Sequence, residues 1–468
     1  MIGKRLHGVC RSIRMKLDLS EIARITGGKH IGENKTLLGI STDTRDMQQD
    51  NLFAALVGER FDPHELILAG KAGHAGGLLV ERELDMAKPQ VVVRSTHVAL
   101  QSLAKAWREK FKIPVIGITG SNGKTSVKEL TRQILETQGE VLATKGNLNN
   151  HIGVPLTLLE LNERHRFAVI EMGANHAGEI ASLTQIAKPD IGIVHNIGPA
   201  HLEGFGSLEG VARAKAELYR FMNPEGIAVV NADEPYRPLW LHDIGTRKQI
   251  SFGIRQNADV FAETDDLNLI KISTPAGEIH AELKLLGQHA VYNALAATAV
   301  CTGLGVELED IRAGIESLQP VPGRLVRIKG ICGASVLDDS YNANPASLSV
   351  ALDVQAREPG AHWLVLGDMG ELGAESMALH RKAGIMAKKS GVVRLLGLGQ
   401  LVVHAVDAFG DGAEHFKSHL EVVEALQQDL NDQVCVLVKG SRAMRMEKVV
   451  EGIRAHVDLG GTCTEHAA

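Results

Sequence analysis

The stretch VIGITGSNGKTSVKEL, residues 115–130, decides the fold of this 468-residue chain. An apolar run, Val115 to Thr119, leads into a glycine-rich turn, and Lys124 and Thr125 then open a helix-like segment. Backbone N–H groups at such a turn surround phosphate oxygens, the lysine reaches the terminal phosphate, and the threonine hydroxyl meets Mg²⁺. The stretch therefore predicts a nucleoside triphosphate site made by Gly120, Ser121, Asn122, Gly123, Lys124, Thr125 and Ser126.

The spacing of this loop departs from the strict GxxxxGKS/T pattern, because Ile118 stands five positions before Gly123. The pattern that the sequence keeps is GxxGKT, starting at Gly120. A glycine-rich turn between a strand and a helix, without any ligand, is the alternative. The order of strand, loop, lysine, threonine and helix favours the phosphate loop.

Apolar strand candidates continue after the loop in the alternation that is typical of βαβ units. They are FAVIEM (167–172), IGIVHNI (191–197) and GIAVVNA (226–232). Continuous apolar runs of this kind are typical of a parallel sheet that is buried on both faces. We therefore predict a central nucleotide-binding domain over residues 89–320, which ends in shorter alternating strands and a helix from His289.

Two further domains are predicted on either side of the central one. Residues 15–88 contain short strands and turns, such as ISTDTR (40–45), and predict a small N-terminal α/β unit. PVPGR (320–324) is interpreted as a linker because proline and glycine punctuate it. Four more buried-strand candidates in residues 321–468 predict a Rossmann-like C-terminal domain. The predicted fold class is therefore α/β with three domains, which suits a chain of this length.

Composition narrows the classes of function. The formal net charge is -6 and the sequence has no long basic run, which argues against a nucleic-acid binder. The five cysteines lie far apart, without the spacing of a disulfide scaffold or a zinc site. No apolar run approaches the ~20 residues that span a bilayer. We expect a soluble cytoplasmic protein without membrane insertion. The basic residues 1–14 are expected to form an extension, a tag or an anion-touching arm.

Charged side chains near the predicted strand ends are candidates for chemistry. Glu171 ends an apolar strand at the sheet edge where open α/β folds bind ligands, so it is a candidate Mg²⁺ ligand, with a solvated strand end as the alternative. His201 also follows a strand, although imidazole is not the hard oxygen ligand that Mg²⁺ favours. Lys215, in GVARAKAELYR, looks on its own like a solvated lysine on a helix face.

The remaining candidates lie in loops. TKGNLNNHIGVP (144–155) offers amide groups, including Asn149 and Asn150, that suit either a binding site or turn chemistry. DDSYNANP (338–345) pairs two aspartates that would bind a sugar hydroxyl or a metal, or would cap a turn. KGSRAMRMEK (439–448) carries four cations suited to a carboxylate or a phosphate, with a solvated helix start as the alternative.

Taken in order, these segments resemble the Mur ligase family of peptidoglycan synthesis. The resemblance covers essentially all of the chain from about Met15, and GxxGKT is the form of the loop that this family uses. The motifs that carry it are STDTR, LFAALVGERFDPH, GITGSNGKT, GNLNNHIGVP, IEMGANHAGEI, PAHLEGFGS, AKAEL, GQHAVYNALAA, PGR, DDSYNANP, LGDMGELG and VKGSR. Each motif is weak alone, but their number and order make the match specific.

The resemblance implies roles for residues in the matching motifs. It implies that the UDP-sugar substrate is held in the N-terminal domain by Thr42, Arg45, Arg60 and Asp62. It implies that Mg²⁺, with Mn²⁺ as an alternative, is held by Thr125, Glu171 and His201. It implies catalytic roles for Lys124, for His201, and for Lys215 as the carbamylated lysine of the family.

The resemblance also implies contacts to ATP and to the other substrates. Asn293 is expected to face adenine, Arg324 a phosphate and Asp339 the ribose, so that the C-terminal domain closes over the nucleotide. Further substrate contacts are expected from Asn149, Asn150, Asn344, Lys439 and Arg442.

The activity that the resemblance implies is ATP-dependent amide bond formation. A carboxylate is a poor electrophile, so its oxygen would first attack the γ-phosphorus of ATP to give an acyl phosphate and ADP. AHLEGFGS, DDSYNANP and VKGSR favour the type that joins D-alanyl-D-alanine to UDP-N-acetylmuramoyl-tripeptide. No enzyme nucleophile is required, in agreement with the lack of a GxSxG elbow. Domain closure would precede chemistry and exclude water.

Two alternatives stay open from the sequence. One is another ligase of the same family that adds a single amino acid. The other is a nucleotide-switch or ATPase module that forms no bond, although no NKxD base-reading motif follows the phosphate loop. The sequence also leaves open whether the third residue of the tripeptide is lysine or diaminopimelate.

Overall fold

The described part of the chain is organised around four β-sheets. The structure, a computed structural model, describes residues 15–58, 61–199, 202–255, 257–266, 269–284 and 286–455. Within these ranges no helix is both long enough and apolar enough to cross a membrane.

The first part of the chain forms a small mixed sheet. Its elements are β1 (Lys16–Asp18), α1 (Leu19–Thr26), β2 (Lys29–Ile31), β3 (Thr36–Leu38), β4 (Ile40–Ser41), β5 (Leu52–Ala54), α2 (His64–Leu68), β6 (Gly77–Val80), β7 (Gln90–Val92) and α3 (Thr96–Arg108). The order β2-β7-β6-β5-β4 is parallel except for β2, and β1 pairs with β3 separately. Because β7 belongs to this sheet, we place the first domain boundary after residue 92 rather than at residue 88.

The central region contains a sheet of nine strands. Its strands are β8 (Val115–Thr119), β9 (Glu140–Ala143), β10 (His165–Glu171), β11 (Ile191–Val194), β12 (Ile227–Asn231), β13 (Lys248–Gly253), β14 (Val260–Asp266), β15 (Leu269–Thr274) and β16 (Gly277–Glu282). Its helices are α4 (Lys124–Glu136), α5 (Gly153–Leu158), α6 (Glu179–Ala187), α7 (Leu202–Phe205), α8 (Leu208–Phe221), α9 (Arg237–Ile244), α10 (Gln288–Gly303) and α11 (Leu308–Ser317).

The strand order places a binding crevice beside β8. The sheet runs β16-β15-β14-β13-β12-β11-β8-β10-β9, parallel from β9 to β14, with β15 and β16 added antiparallel. After β8 the chain adds β9 and β10 on one side of β8, and it then adds β11 on the other side. Open α/β sheets bind ligands at the carboxyl ends of the strands where the order reverses in this way. The carboxyl ends of β8, β10 and β11 therefore mark the expected site.

The C-terminal region forms a second doubly wound sheet. Its strands are β17 (Val326–Lys329), β18 (Ser335–Asp339), β19 (Ala361–Gly367), β20 (Val392–Leu398), β21 (Ala413–Phe416) and β22 (Val434–Lys439). Its helices are α12 (Pro345–Gln355), α13 (Ser376–Lys389), α14 (Val403–Phe409), α15 (His419–Asp429) and α16 (Glu447–Ile453), with 3-10 turns at Ile331–Gly333, Gly373–Glu375 and Arg442–Met444. The order β17-β18-β22-β19-β20-β21 is parallel apart from β17. The predicted α/β class and the Rossmann-like C-terminal sheet are confirmed.

Candidate active site

The phosphate loop joins the carboxyl end of β8 to the N-terminus of α4. Gly123 is the N-cap of α4 with φ +76°, a left-handed conformation that side chains rarely adopt. A Cβ atom at Gly123 would lie 2.7 Å from Asn293 Oδ1 and 3.0 Å from His195 Nε2. The first N–H groups of a helix have no partner within the helix, so this loop presents free donors to an anion.

A cavity of about 710 Å³ lies between the central and C-terminal sheets, and the phosphate loop forms part of its wall. It brings together most of the site residues that the sequence predicts. These lining residues are Ser121, Asn122, Gly123, Lys124, Thr125, Ser126, Asn149, Asn150, Glu171, Asn293, Arg324, Asp339, Asn344, Lys439 and Arg442. The two sheets thus face each other across one shared space.

Lys124 is folded against its own loop. Its Nζ donates to the carbonyl oxygens of Gly120, at 2.7 Å, and Ser121, at 3.3 Å. Burial lowers the pKa of the Lys124 ammonium; Glu171 opposes this effect and Arg324 adds to it. The lysine is therefore held at the position where an anionic ligand of the loop would be neutralised.

Glu171 is buried at the end of β10, with 2% of its surface exposed, so the alternative of a solvated strand end is excluded. Its Oε2 accepts from Thr125 Oγ1 at 3.0 Å, and its Oε1 accepts from Asn149 Nδ2 at 2.7 Å. Carboxylate and hydroxyl oxygens are the ligands that Mg²⁺ prefers, and Mg²⁺ usually keeps several waters. The described residues contain no group of three His, Cys, Asp or Glu side chains suited to a metal, so this oxygen pair is the part of the site that fits Mg²⁺.

Lys215 lies on the buried face of α8, with 2% of its surface exposed, which excludes a solvated lysine. Its neighbours Ala214 and Ala216 are also buried. Burial lowers the pKa of Lys215 well below its ordinary value, and Lys124 lowers it further. Tyr219 ties the same helix to the sheet, accepting from Val194 N at 3.1 Å and donating to the Val229 carbonyl at 2.6 Å.

Asp339 and Lys439 come together because β18 and β22 are parallel and pair these two residues directly. Lys439 Nζ lies 2.5 Å from Asp339 Oδ2 and also donates to the Asn342 carbonyl at 2.9 Å. Burial raises the pKa of Asp339, an effect that Lys439 opposes. Asp338 instead accepts from Ser340 Oγ at 2.5 Å and caps the turn. Asp338 therefore caps the turn, whereas Asp339 lines the cavity.

Arg324 connects the linker to the phosphate loop. Its guanidinium lies 4.0 Å from the ring centre of Tyr341, and its Nη2 lies 3.3 Å from Thr125 Oγ1. Its Nε is buried without a hydrogen-bond partner. Arg442 approaches the same ring, at 5.4 Å. Two cations on one aromatic side chain make this wall of the cavity suited to anionic groups.

Sequence reasoning missed several polar residues that line the cavity. His195, directly after β11, is stacked on Phe252, and its Nδ1 is buried without a partner. Burial lowers the pKa of His195 to about 4 although Asn293 opposes this effect, and burial also lowers the pKa of His289 to about 4. Asn196 and Tyr341 were missed as well. A polar residue directly after a buried parallel strand is the signal that could have identified His195.

Other predicted residues are not brought to this cavity. Thr42, Arg45 and Asp62 belong to the N-terminal region and do not line it. Arg45 pairs with Asp43 at 2.6 Å, while Asp62 lies 2.6 Å from Arg82 and 2.5 Å from His64. Arg60 and His201 lie outside the described residues.

The two predicted asparagines of the TKGNLNN loop have separate roles. Asn149 contacts Glu171, as described above. The Oδ1 atom of Asn150 accepts from the backbone N–H groups of Ile152, at 3.1 Å, and Gly153, at 2.9 Å. Asn150 therefore holds the turn before α5 while also lining the cavity.

Two parts of the chain match domains of a known protein family. Residues 118–301 match the Mur ligase middle domain, and residues 323–442 match the Mur ligase glutamate ligase domain. UDP-N-acetylmuramoyl-tripeptide–D-alanyl-D-alanine ligase of Escherichia coli is 43% identical over 456 residues, which cover 96% of this chain and 100% of that protein. The chain belongs to the Mur ligase family. The resemblance inferred from the motifs is confirmed, and the chain is a ligase of this family.

Solved Mur ligases share the fold throughout. A crystal structure of MurF from Acinetobacter baumannii superposes with a TM-score of 0.88 at 34% identity, covering 94% of this chain and 99% of that one. MurF ligase from Thermotoga maritima in complex with ADP superposes with a TM-score of 0.79 at 27% identity, covering 88% and 96%. The fold of this Mur ligase is therefore shared with these two structures over most of its length.

Proposed function

We propose that this Mur ligase joins D-alanyl-D-alanine to UDP-N-acetylmuramoyl-tripeptide, consuming ATP and releasing ADP, phosphate and UDP-N-acetylmuramoyl-pentapeptide. The observation that carries the proposal is the 43% identity, over 96% of the chain, with an enzyme named for this reaction. The reaction belongs to the cytoplasm, where ATP and nucleotide-linked sugars are made, and the enzyme acts as a monomer.

The first step activates the terminal carboxylate of the tripeptide. One carboxylate oxygen attacks the γ-phosphorus, the bond from that phosphorus to the bridging oxygen breaks, and ADP leaves. The Lys124 ammonium and the free N–H groups at the start of α4 bind the phosphoryl oxygens as charge spreads over them. The N–H groups are fixed by the start of α4, whereas Lys124 exchanges its bonds to the Gly120 and Ser121 carbonyls for the phosphoryl oxygens.

Thr125 and Glu171 would hold Mg²⁺ beside the phosphate loop, with His201 as the third ligand that the family resemblance implies. When bound, the ion supplies positive charge to the phosphate oxygens. Asn149 keeps the Glu171 carboxylate oriented through its 2.7 Å hydrogen bond.

Lys215 carries a carbamate in the active enzyme. Only a neutral amine attacks carbon dioxide; it forms an N–C bond and loses one proton. Burial favours the neutral amine of Lys215, as its lowered pKa indicates. The product is an anion, which suits a site that also binds cations.

The nucleotide is bound from both sheets. Asn293 faces adenine, Asp339 binds the ribose and Arg324 binds a phosphate, since all three line the cavity that holds the phosphate loop. The UDP-sugar part of the substrate is held separately by Thr42, Arg45, Arg60 and Asp62 in the N-terminal region.

The second step forms the amide bond. The neutral amine of the dipeptide attacks the acyl carbon, the carbon–oxygen bond to phosphate breaks, and phosphate leaves while the nitrogen gives up a proton. Arg442 and Lys439 provide positive charge on the C-terminal wall for anionic groups of the substrates. Water would hydrolyse the acyl phosphate, so the facing sheets must exclude it.

The proposal is tested by incubating the protein with ATP, UDP-N-acetylmuramoyl-tripeptide and either D-alanyl-D-alanine or single amino acids. Mass spectrometry should find the pentapeptide product only with the dipeptide. Lys124→Ala should abolish the product while leaving UDP-sugar binding intact. Turnover only with a single amino acid would refute the proposed substrate, and full-rate phosphate release without the carboxylate or amine substrate would indicate an ATPase module.

A further inference from the structure

We propose that Asn344 is a positioning residue that couples closure of the C-terminal sheet to the shape of the phosphate loop. This inference rests on the proposed function, because it assigns the contact a task in the ligation reaction. The contact belongs to a series of three side chains, Asn344, Asn122 and Asn196, which we call the asparagine chain. It crosses the crevice between the two sheets.

The orientation of the Asn344 carboxamide is fixed by the helix that it starts. Its Oδ1 accepts from Ser347 N at 2.8 Å, while Ser347 Oγ accepts from Asn344 N at 3.1 Å, which completes a capping box on α12. With the oxygen occupied by the cap, the NH₂ group points the other way. It donates to Asn122 Oδ1 at 2.9 Å, across 222 residues of sequence.

Asn122 is held from its other side by the loop that follows β11. Its N–H donates to Asn196 Oδ1 at 2.8 Å, and its carbonyl accepts from Asn196 Nδ2 at 3.0 Å. Ser121 N also donates to the Asn196 carbonyl at 2.9 Å. Both backbone groups of Asn122 are therefore engaged by the central sheet, and its side-chain oxygen is the acceptor for the C-terminal sheet.

The strength of this link suits a contact that must form and break in every turnover. All three side chains are neutral amides, and one such hydrogen bond contributes only about 1 kcal/mol net. A link of that size favours the closed arrangement without preventing substrate entry or product release. Arg324 also crosses the crevice, but its 3.3 Å contact to Thr125 joins groups that we assign to phosphate and metal.

The consequence for the reaction follows from the position of Asn122, which stands between Ser121 and Gly123 in the phosphate loop. When Asn344 binds Asn122, the C-terminal sheet closes against a loop that already has its binding shape. Without this link the sheet would close less completely, and water would reach the acyl phosphate.

The variant Asn344→Asp tests the hydrogen bond to Asn122 separately from the N-terminal cap of α12. Aspartate caps a helix as well as asparagine does, but it turns an oxygen instead of an NH₂ group toward Asn122 Oδ1. Ser347→Ala is the matched control, since it removes half of the capping box and leaves the Asn344 side chain unchanged. Asn344→Asp should consume several-fold more ATP per amide bond formed than wild type, whereas Ser347→Ala should keep the wild-type ratio.

A second measurement does not depend on ligation. With a non-hydrolysable ATP analogue and Mg²⁺, small-angle scattering should give Asn344→Asp a larger radius of gyration than wild type and Ser347→Ala. Equal radii together with an unchanged ratio of ATP to product would overturn the proposal. So would a raised KM for either substrate at an unchanged ratio, because Asn344 would then contact substrate. Failure of the wild-type enzyme to form pentapeptide would instead refute the proposed function, while the scattering result would still judge the link.

Discussion

Lys215 shows how burial alone changes what a residue is able to do. Exposed on a helix, this lysine would be a hydrated cation with little reactivity, but on α8 it is buried, with 2% of its surface exposed. The carbamate that we propose would form on this amine, because burial favours the neutral form that attacks carbon dioxide.

Replacing Lys215 with alanine should lower the rate of ligation by roughly 100-fold, since residues that support a metal site commonly matter to this degree. Small carboxylic acids should restore part of the rate by standing in for the carbamate. Arg213→Ala on the same helix is the control, because Arg213 is exposed and pairs with Glu209, and it should keep the wild-type rate. NMR after incubation with ¹³C-bicarbonate should show a carbamate carbon in the wild type only; an active wild-type enzyme without that signal would contradict the assignment.

His195 makes stability depend on pH. Its pKa is about 4 in the folded protein, against an ordinary value of 6.5, because burial disfavours the charged ring. Between these two values the unfolded chain binds a proton that the folded chain does not. The contribution of neutral His195 to the free energy of unfolding is therefore fully present above pH 6.5, and it is lost as the pH is lowered toward 4.

From pH 7.5 to pH 5 this effect of His195 should remove about 2 kcal/mol from the free energy of unfolding. Urea unfolding should show that His195→Asn loses less stability than wild type over this interval. His289 titrates in both proteins and also lowers the pKa of His195, so the difference reports His195 together with this coupling. Parallel curves for the two proteins would show that the ring of His195 is not buried as described.

At the scale of elements, the phosphate loop depends on a glycine that both bends the chain and lets α10 approach. Gly123 and Gly70 share a φ of +76°, but a Cβ atom at Gly70 would meet nothing within 4 Å. Substituting Gly70 therefore tests the effect of the left-handed backbone alone, whereas substituting Gly123 also tests the effect of close contact with neighbouring side chains.

Alanine at either Gly123 or Gly70 should cost about 1–2 kcal/mol of stability through the left-handed backbone. Gly123→Ala should also weaken ATP binding at least tenfold, as measured by calorimetry, because its Cβ would displace Asn293 and His195. Gly70→Ala should bind ATP normally. Wild-type affinity in Gly123→Ala would contradict the packing described around the loop.

How much the sequence predicts also depends on the element. The continuous apolar runs of β8, β10, β11 and β12 identify the buried parallel strands, because both faces of each strand are covered. The strands β9, β13, β17 and β21 were missed, since they are short or carry polar residues on one face. The Asp339–Lys439 pair could not be predicted, because it depends on the register of two strands that lie about a hundred residues apart.

At the scale of the whole molecule, the candidate active site lies where two sheets meet. The central sheet supplies the phosphate loop and Glu171, while the C-terminal sheet supplies Asp339, Lys439 and Arg442. Motif order identified these residues, but their assembly around one cavity of about 710 Å³ became visible only in the folded chain. Closing the two sheets over this cavity would shield an intermediate that water would destroy.

The central claim is that ATP activates the tripeptide carboxylate as an acyl phosphate. It is tested most directly with UDP-N-acetylmuramoyl-tripeptide that carries ¹⁸O in both oxygens of the terminal carboxylate, together with ATP and D-alanyl-D-alanine. One labelled oxygen should leave with phosphate and the other should stay in the new amide, so each released phosphate should contain one ¹⁸O by mass spectrometry. Release of unlabelled phosphate while pentapeptide accumulates would contradict the account.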